Sequence, residues 1–240
     1  MHAERSLFWP IAVAVGGFLV LIGLGTWQVQ RLFWKEGLIA QRQAAVTAPP
    51  IAPPRSLAEA RGLEYHRITA TGRLQNDHEL DLGATDDGGH PGYQVITPLV
   101  LDDGAVLLVD RGFVPEAKRA PASRPEGELA GEVAVTGLLR LAPEEKPHWF
   151  LPDNSPTKNY WLYVDIPAMA RAAQQEHVLP YYLDADATPV PGGLPVGGQT
   201  RLDLPNNHLQ YAITWYALAA ALAVIAVLRI RQGRSGGDAS

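Results

Sequence analysis

The chain contains no cysteine, which excludes disulfides, thiolate nucleophiles and Cys-ligated zinc or iron–sulfur centres. Any outward-facing domain must therefore hold together by packing alone. Positive charge is also in short supply: 20 Lys and Arg stand against 25 Asp and Glu, a formal net charge of −5. There is no basic stripe with interleaved aromatics, so no nucleic-acid partner is expected. HExxH, GxSxG, a phosphate-cradling glycine loop and an EF-hand loop are missing too, and no enzymatic activity is expected. His66, His78, His90, His148 and His177 are scattered without ligand spacing and read as solvated or hydrogen-bonded side chains. Asp86-Asp87 with His90 brackets Gly88 and Gly89 and reads as a turn, not a metal site. Asp110-Arg111 reads as a structural ion pair.

Two uncharged runs stand out, one near each end. Phe8 to Trp27 reads FWPIAVAVGGFLVLIGLGTW, and Leu209 to Leu228 is of the same length. About 20 apolar residues are what a hydrocarbon core of roughly 30 Å requires. Phe8, Trp9, Trp27 and Trp34 suit the two interfacial aromatic belts. The first run ends in Trp27-Gln28-Val29-Gln30-Arg31, bulky where a signal-peptide cleavage site needs small residues, so it reads as an uncleaved anchor. Arg229, Arg231 and Arg234 favour a cytoplasmic C-terminus. Arg31 and Lys35 weakly oppose that orientation, but long domains translocate largely regardless of charge. The expected organisation is a cytoplasmic tail (1–7), a transmembrane helix (8–30), a periplasmic domain (31–207), a second transmembrane helix (208–228) and a cytoplasmic tail (229–240). No Arg- and Ser-rich leader precedes Phe8, which points to a bacterial cytoplasmic membrane, with both termini inside.

Between the runs the pattern is mostly of strands. Gly37–Val46 continues as a helix, and Pro49, Pro50, Pro53 and Pro54 form a stiff break before a short turn of helix N-capped by Ser56. Tyr65–Leu74 alternates with a period of two. Glu79–Gly83, Tyr93–Leu101, Ala105–Arg111, Val133–Leu141, Tyr160–Asp165 and Tyr181–Asp184 follow as strands, with a helix over Ile166–Glu176. Asp102-Asp103-Gly104 is a hairpin turn. The fold class expected is two transmembrane helices flanking an outer β-rich α+β domain, its sheet antiparallel and barrel-like.

His208 stands at the outer edge of the second run, where ionisable groups are costly and therefore informative. Tyr211 and Trp215 follow it on the same helical face, and Trp27, Arg31 and Trp34 share one face of the first run. With antiparallel spans these faces lie at one height. A neutral imidazole there can ligate iron, flanking aromatics can cover a planar macrocycle, and Arg31 or Arg201 can meet a propionate. An aromatic belt with an interfacial histidine predicts the same residues, and spacing alone leaves both readings open.

Longer motifs carry a resemblance. Gly25-Thr26-Trp27-Gln28-Val29-Gln30-Arg31 with Trp34-Lys35, Gly92-Tyr93-Gln94-Val95-Ile96-Thr97-Pro98-Leu99, Val109-Asp110-Arg111-Gly112-Phe113-Val114-Pro115 and Asn206-Asn207-His208-Leu209-Gln210-Tyr211-Ala212-Ile213-Thr214-Trp215-Tyr216 occur in this order. Together they resemble the surfeit locus protein 1 family across nearly the whole chain. The family commonly has Asn and Trp where this chain has Asp110 and Phe113, and the stretch from Ala117 to Glu132 looks specific to this chain. The resemblance implies a non-enzymatic assembly factor for a haem–copper terminal oxidase, aiding haem a insertion into the catalytic subunit. It implies haem a as a transient cofactor and His208 as its iron ligand, with Tyr211, Trp215, Trp27 and Arg31 inferred as lining residues. Implied partners are the oxidase catalytic subunit, the haem a synthesis enzyme and membrane lipids. The alternative is a cofactor-free membrane scaffold that stabilises an oxidase assembly intermediate.

Overall fold

The computed structural model describes residues 8–86 and 88–235. They form two compact units: the long end helices, up to Gln41 and from Asp203, and a domain spanning Arg42–Leu202.

The first helix, α1, runs unbroken over Phe8–Thr47, so the segment beyond Arg31 continues the same helix. Within the domain, α2 (Leu57–Arg61) begins where the Ser56 side chain accepts from the Glu59 N–H. Six strands follow: β1 (Arg67–Leu74), β2 (Leu80–Thr85), β3 (Pro91–Leu101), β4 (Val106–Pro115), β5 (Glu132–Arg140) and β6 (Val178–Ala185). α3 (Ile166–Ala172), capped by Asp165, precedes β6. The chain ends on α4 (His208–Ser235).

The strand order is β1-β5-β6-β4-β3-β2, and β1 also pairs with β3. Five strands therefore close on themselves, and β2 hangs on the outside of β3. This is the expected architecture, two long apolar helices flanking a small barrel. In one respect the sheet differs from an antiparallel one: β4 and β6 pair parallel, with Asp110 beside Asp184. The reason is geometric. Directions can alternate around a closed ring only if the number of strands is even, so a five-membered ring needs a parallel pair. Closure itself depends on Gly72, where a Cβ would lie 2.3 Å from the Val100 carbonyl oxygen. The β3–β4 hairpin turns at Gly104, held in the left-handed region at φ +82°, as its turn sequence predicts.

Inside the barrel pack Ile68, Leu99, Leu107, Val109, Leu139, Tyr181 and Leu183, all fully buried. Each buried aliphatic contributes about 1.5–3 kcal/mol relative to exposure. A second core lies on the outer face, where Leu80, Ile96 and Leu108 meet Trp161, Ile166 and Met169 around α3. The expected strand over Tyr160–Asp165 is absent. Trp161 makes one bridge to Leu82, and the Asn154 side chain takes the Leu162 N–H at 2.8 Å, removing a donor that a ladder would need.

Candidate functional site

The end helices meet along a seam. On α1 the covered positions include Ala14, Phe18, Leu21, Gly25, Gln28, Leu32 and Lys35; on α4 they include His208, Ala212, Trp215, Ala219 and Leu222. Both sets step by three and four residues, the repeat of paired helices that interlock side chains. Small residues let the backbones approach: a Cβ on Gly25 would lie 2.7 Å from the Tyr216 ring, and one on Gly17 would lie 3.3 Å from Leu222. These contacts run in opposite directions along the two helices, so the pair is antiparallel. Away from the seam the apolar side chains, Leu19, Val20, Ile213 and Ile225 among them, are exposed. Both helices are long and apolar enough to cross a membrane.

At one end of the seam sit the polar groups. His208 Nδ1 and Gln28 Oε1 are 2.7 Å apart, with Gln28 only 9% exposed. Thr26 and the Tyr216 hydroxyl are 3.2 Å apart, and Lys35 Nζ donates to the Pro205 carbonyl. His208 and Trp215 are half-buried at seam positions. Tyr211, at 54%, and Trp27, at 53%, are exposed, and the Arg31 guanidinium lies 4.0 Å over the ring of Trp34. Among the described residues no hydrogen bond or ring contact joins Trp27 or Arg31 to His208, Tyr211 or Trp215. The spacing of Trp27, Arg31 and Trp34 defines a genuine face, but one about 100° round the helix from the face that α4 covers. Gln28 was the missed residue. An amide at the end of the apolar run, three residues after Gly25 and seven before Lys35, was the available signal.

The barrel carries a second polar constellation. Glu79 takes Arg111 Nη1 at 3.0 Å and Arg124 Nη2 at 2.5 Å, and Glu128 takes Arg124 Nη1 at 2.5 Å. Arg111, Arg124 and Glu79 are all buried. Beside them Arg119 Nε reaches Asp81 at 2.8 Å. Burial, then the Glu79 charge, pushes the Glu128 carboxyl up. The cluster fastens the 116–128 segment to the barrel. The expected Asp110–Arg111 pair does not form, because neighbours on a strand point to opposite faces. Asp110 lies instead beside Asp184, and Arg111 joins Glu79. At the other expected turn, the Asp86 carboxylate accepts from the His90 N–H at 2.8 Å; Asp87 lies outside the described residues.

A small mixed barrel, flanked in the chain by two paired apolar helices with one imidazole on their seam among the described residues, defines the class of protein. Family comparison then identifies it: the SURF1 family model matches residues 15–220, and the chain belongs to this family of cytochrome c oxidase assembly factors. It is 40% identical over 232 residues to Surfeit locus protein 1 of Mus musculus, covering 87% of this chain and 73% of the mouse protein. Against the Homo sapiens protein identity is 39% over 231 residues, 89% of this chain and 75% of the other. A SURF1-like protein of Monosiga brevicollis is 40% identical over 246 residues, 97% of this chain and 91% of that protein.

Proposed function

We propose that this protein aids insertion of haem a into the catalytic subunit of a haem–copper oxidase, with His208 offering the iron ligand. One observation carries the reading: an imidazole stands at the seam of two apolar helices with Nδ1 engaged by Gln28. Among the described residues no hydrogen bond engages Nε2. The donor set fits a haem, since a lone imidazole nitrogen is a ligand that can let go, and exposed Trp27 and Tyr211, on the neighbouring helix faces, would supply flat apolar cover. Arg31 would meet a propionate, and Trp215 would back the histidine. Haem, when bound, would supply an iron that accepts a nitrogen ligand, two carboxylates and a large apolar face. The oxidase catalytic subunit and the haem a synthesis enzyme are the partners in this reading. The membrane is the cytoplasmic membrane of a bacterium, both termini inside and the barrel outside; the relatives named above are eukaryotic.

The test is an absorption spectrum of the full chain purified from cells making haem a, as wild type and as His208→Ala. A stoichiometric haem signal lost in the variant supports the reading; absence of haem from both sinks it. The cofactor-free scaffold is the second reading. Exposure of Trp27, Tyr211 and Arg31 favours it, because an uncovered aromatic face suits docking on a partner helix. A full oxidase haem complement in His208→Ala cells would support that scaffold.

A further inference from the structure

The ring nitrogen of His208 that faces α1 has a neighbour of fixed polarity. Gln28 Oε1 is an amide oxygen, which can only accept, so at 2.7 Å the proton of the contact must sit on Nδ1. Gln28 cannot turn to water for another partner, because it is 9% exposed and enclosed by the seam. The seam keeps its distance through Gly25, whose missing side chain lets the Tyr216 ring close over α1 one turn away.

We infer that Gln28 is the positioning residue for His208: its oxygen holds the imidazole as the Nδ1–H tautomer and leaves the lone pair on Nε2. A histidine that binds a metal through one nitrogen commonly donates from the other, and the acceptor tunes the strength of the ligand. A carboxylate acceptor pulls the Nδ1 proton and gives the ring imidazolate character. A neutral amide orients the ring without that pull, which produces a weaker and more exchangeable ligand. Choice of an amide matches capture followed by release. The Nδ1 proton follows from the amide oxygen set against it, whereas the bare lone pair on Nε2 and its use as a ligand rest on the haem reading above.

The two parts are tested separately on the full-length chain in lipid nanodiscs. First, the ring-nitrogen NMR signals of His208 are read from 15N-histidine protein without haem, assigned by their loss in His208→Ala. The wild type should show Nδ1 protonated, Gln28→Glu should keep that state, and Gln28→Leu should lose it. A wild type protonated on Nε2, or a tautomer indifferent to Gln28→Leu, overturns the proposal. Second, with haem bound, the iron–histidine stretching frequency should rise in Gln28→Glu and fall in Gln28→Leu. Haem transfer to apomyoglobin should slow in the Glu variant, while the Leu variant should hold haem roughly 10–100-fold more weakly. Equal frequencies in all three proteins would also overturn it. A correct tautomer in a protein that takes up no haem leaves the positioning role standing and removes the haem reading instead.

Discussion

Asp110 and Asp184 occupy partner positions on β4 and β6, on the outer side of the barrel wall. Burial, followed by the Asp184 charge, raises the Asp110 carboxyl well above its ordinary 3.8; burial also raises Asp184. Three groups temper the repulsion: the Gly112 N–H donates to Asp110, the Thr200 hydroxyl donates to Asp184, and Arg140 stands 3.6 Å from Asp184. Both carboxyls hold protons more tightly folded than unfolded. Their contribution is therefore full below the unfolded carboxylate range and lost as pH rises through the raised folded values. Asp110→Asn keeps an oxygen for the Gly112 N–H and cannot ionise. Relative to this variant, the wild type should lose melting temperature as pH is raised from about 4 toward about 9; parallel curves would refute the coupling. Glu79 presents the opposite case, a charge that two buried arginines require. Glu79→Gln should cost about 3–5 kcal/mol in denaturant unfolding, because it leaves uncompensated guanidinium charge.

Elements were read unevenly from the sequence, and the reasons differ. β1 shows alternation, β3 and β4 are apolar runs joined by a turn, β5 is β-branched, and the two end runs are too long for anything but helices of this kind, so these features were legible. Tyr160–Asp165 has strand composition but no ladder, since its Leu162 and Tyr163 N–H groups are claimed by the Asn154 side chain, a contact across a loop of eight or nine residues that strand patterning does not encode. The helix seam was half legible. His208 and Trp215 fall on it, whereas the spacing of Trp27, Arg31 and Trp34 picks out the neighbouring face. Only the partner helix decides which of two adjacent faces is covered. The seam predicts that Gly25→Val will force the helices apart at Tyr216. In this cysteine-free chain, Gly17→Cys with Leu222→Cys should cross-link on oxidation, and adding Gly25→Val should reduce the yield. An undiminished yield would show that the seam tolerates the bulk. Gly72→Ala should destabilise the barrel by about 1–3 kcal/mol through overpacking against the β3 backbone, measured by denaturant melt.

At the scale of the whole molecule, closure of the ring could not be read from the strands individually. It requires β1 to pair with β3 on one side and β5 on the other, at residues far apart in sequence. The buried ionic cluster was equally hidden, because nothing local in the 116–128 segment pairs Arg124 with Glu79, which lies 45 residues away. The order of strands has a consequence for how the protein is made. β6 is synthesised last but fits between β4 and β5. Until Val178–Ala185 emerges, the nascent domain is an open sheet with two bare edges, held near a membrane by its first anchor. Such edges readily accept foreign strands. Its maturation is a race between its own keystone strand and capture by a neighbour, and a chain that stalls before Val178 should be found in aggregates or bound to chaperones rather than as a smaller barrel.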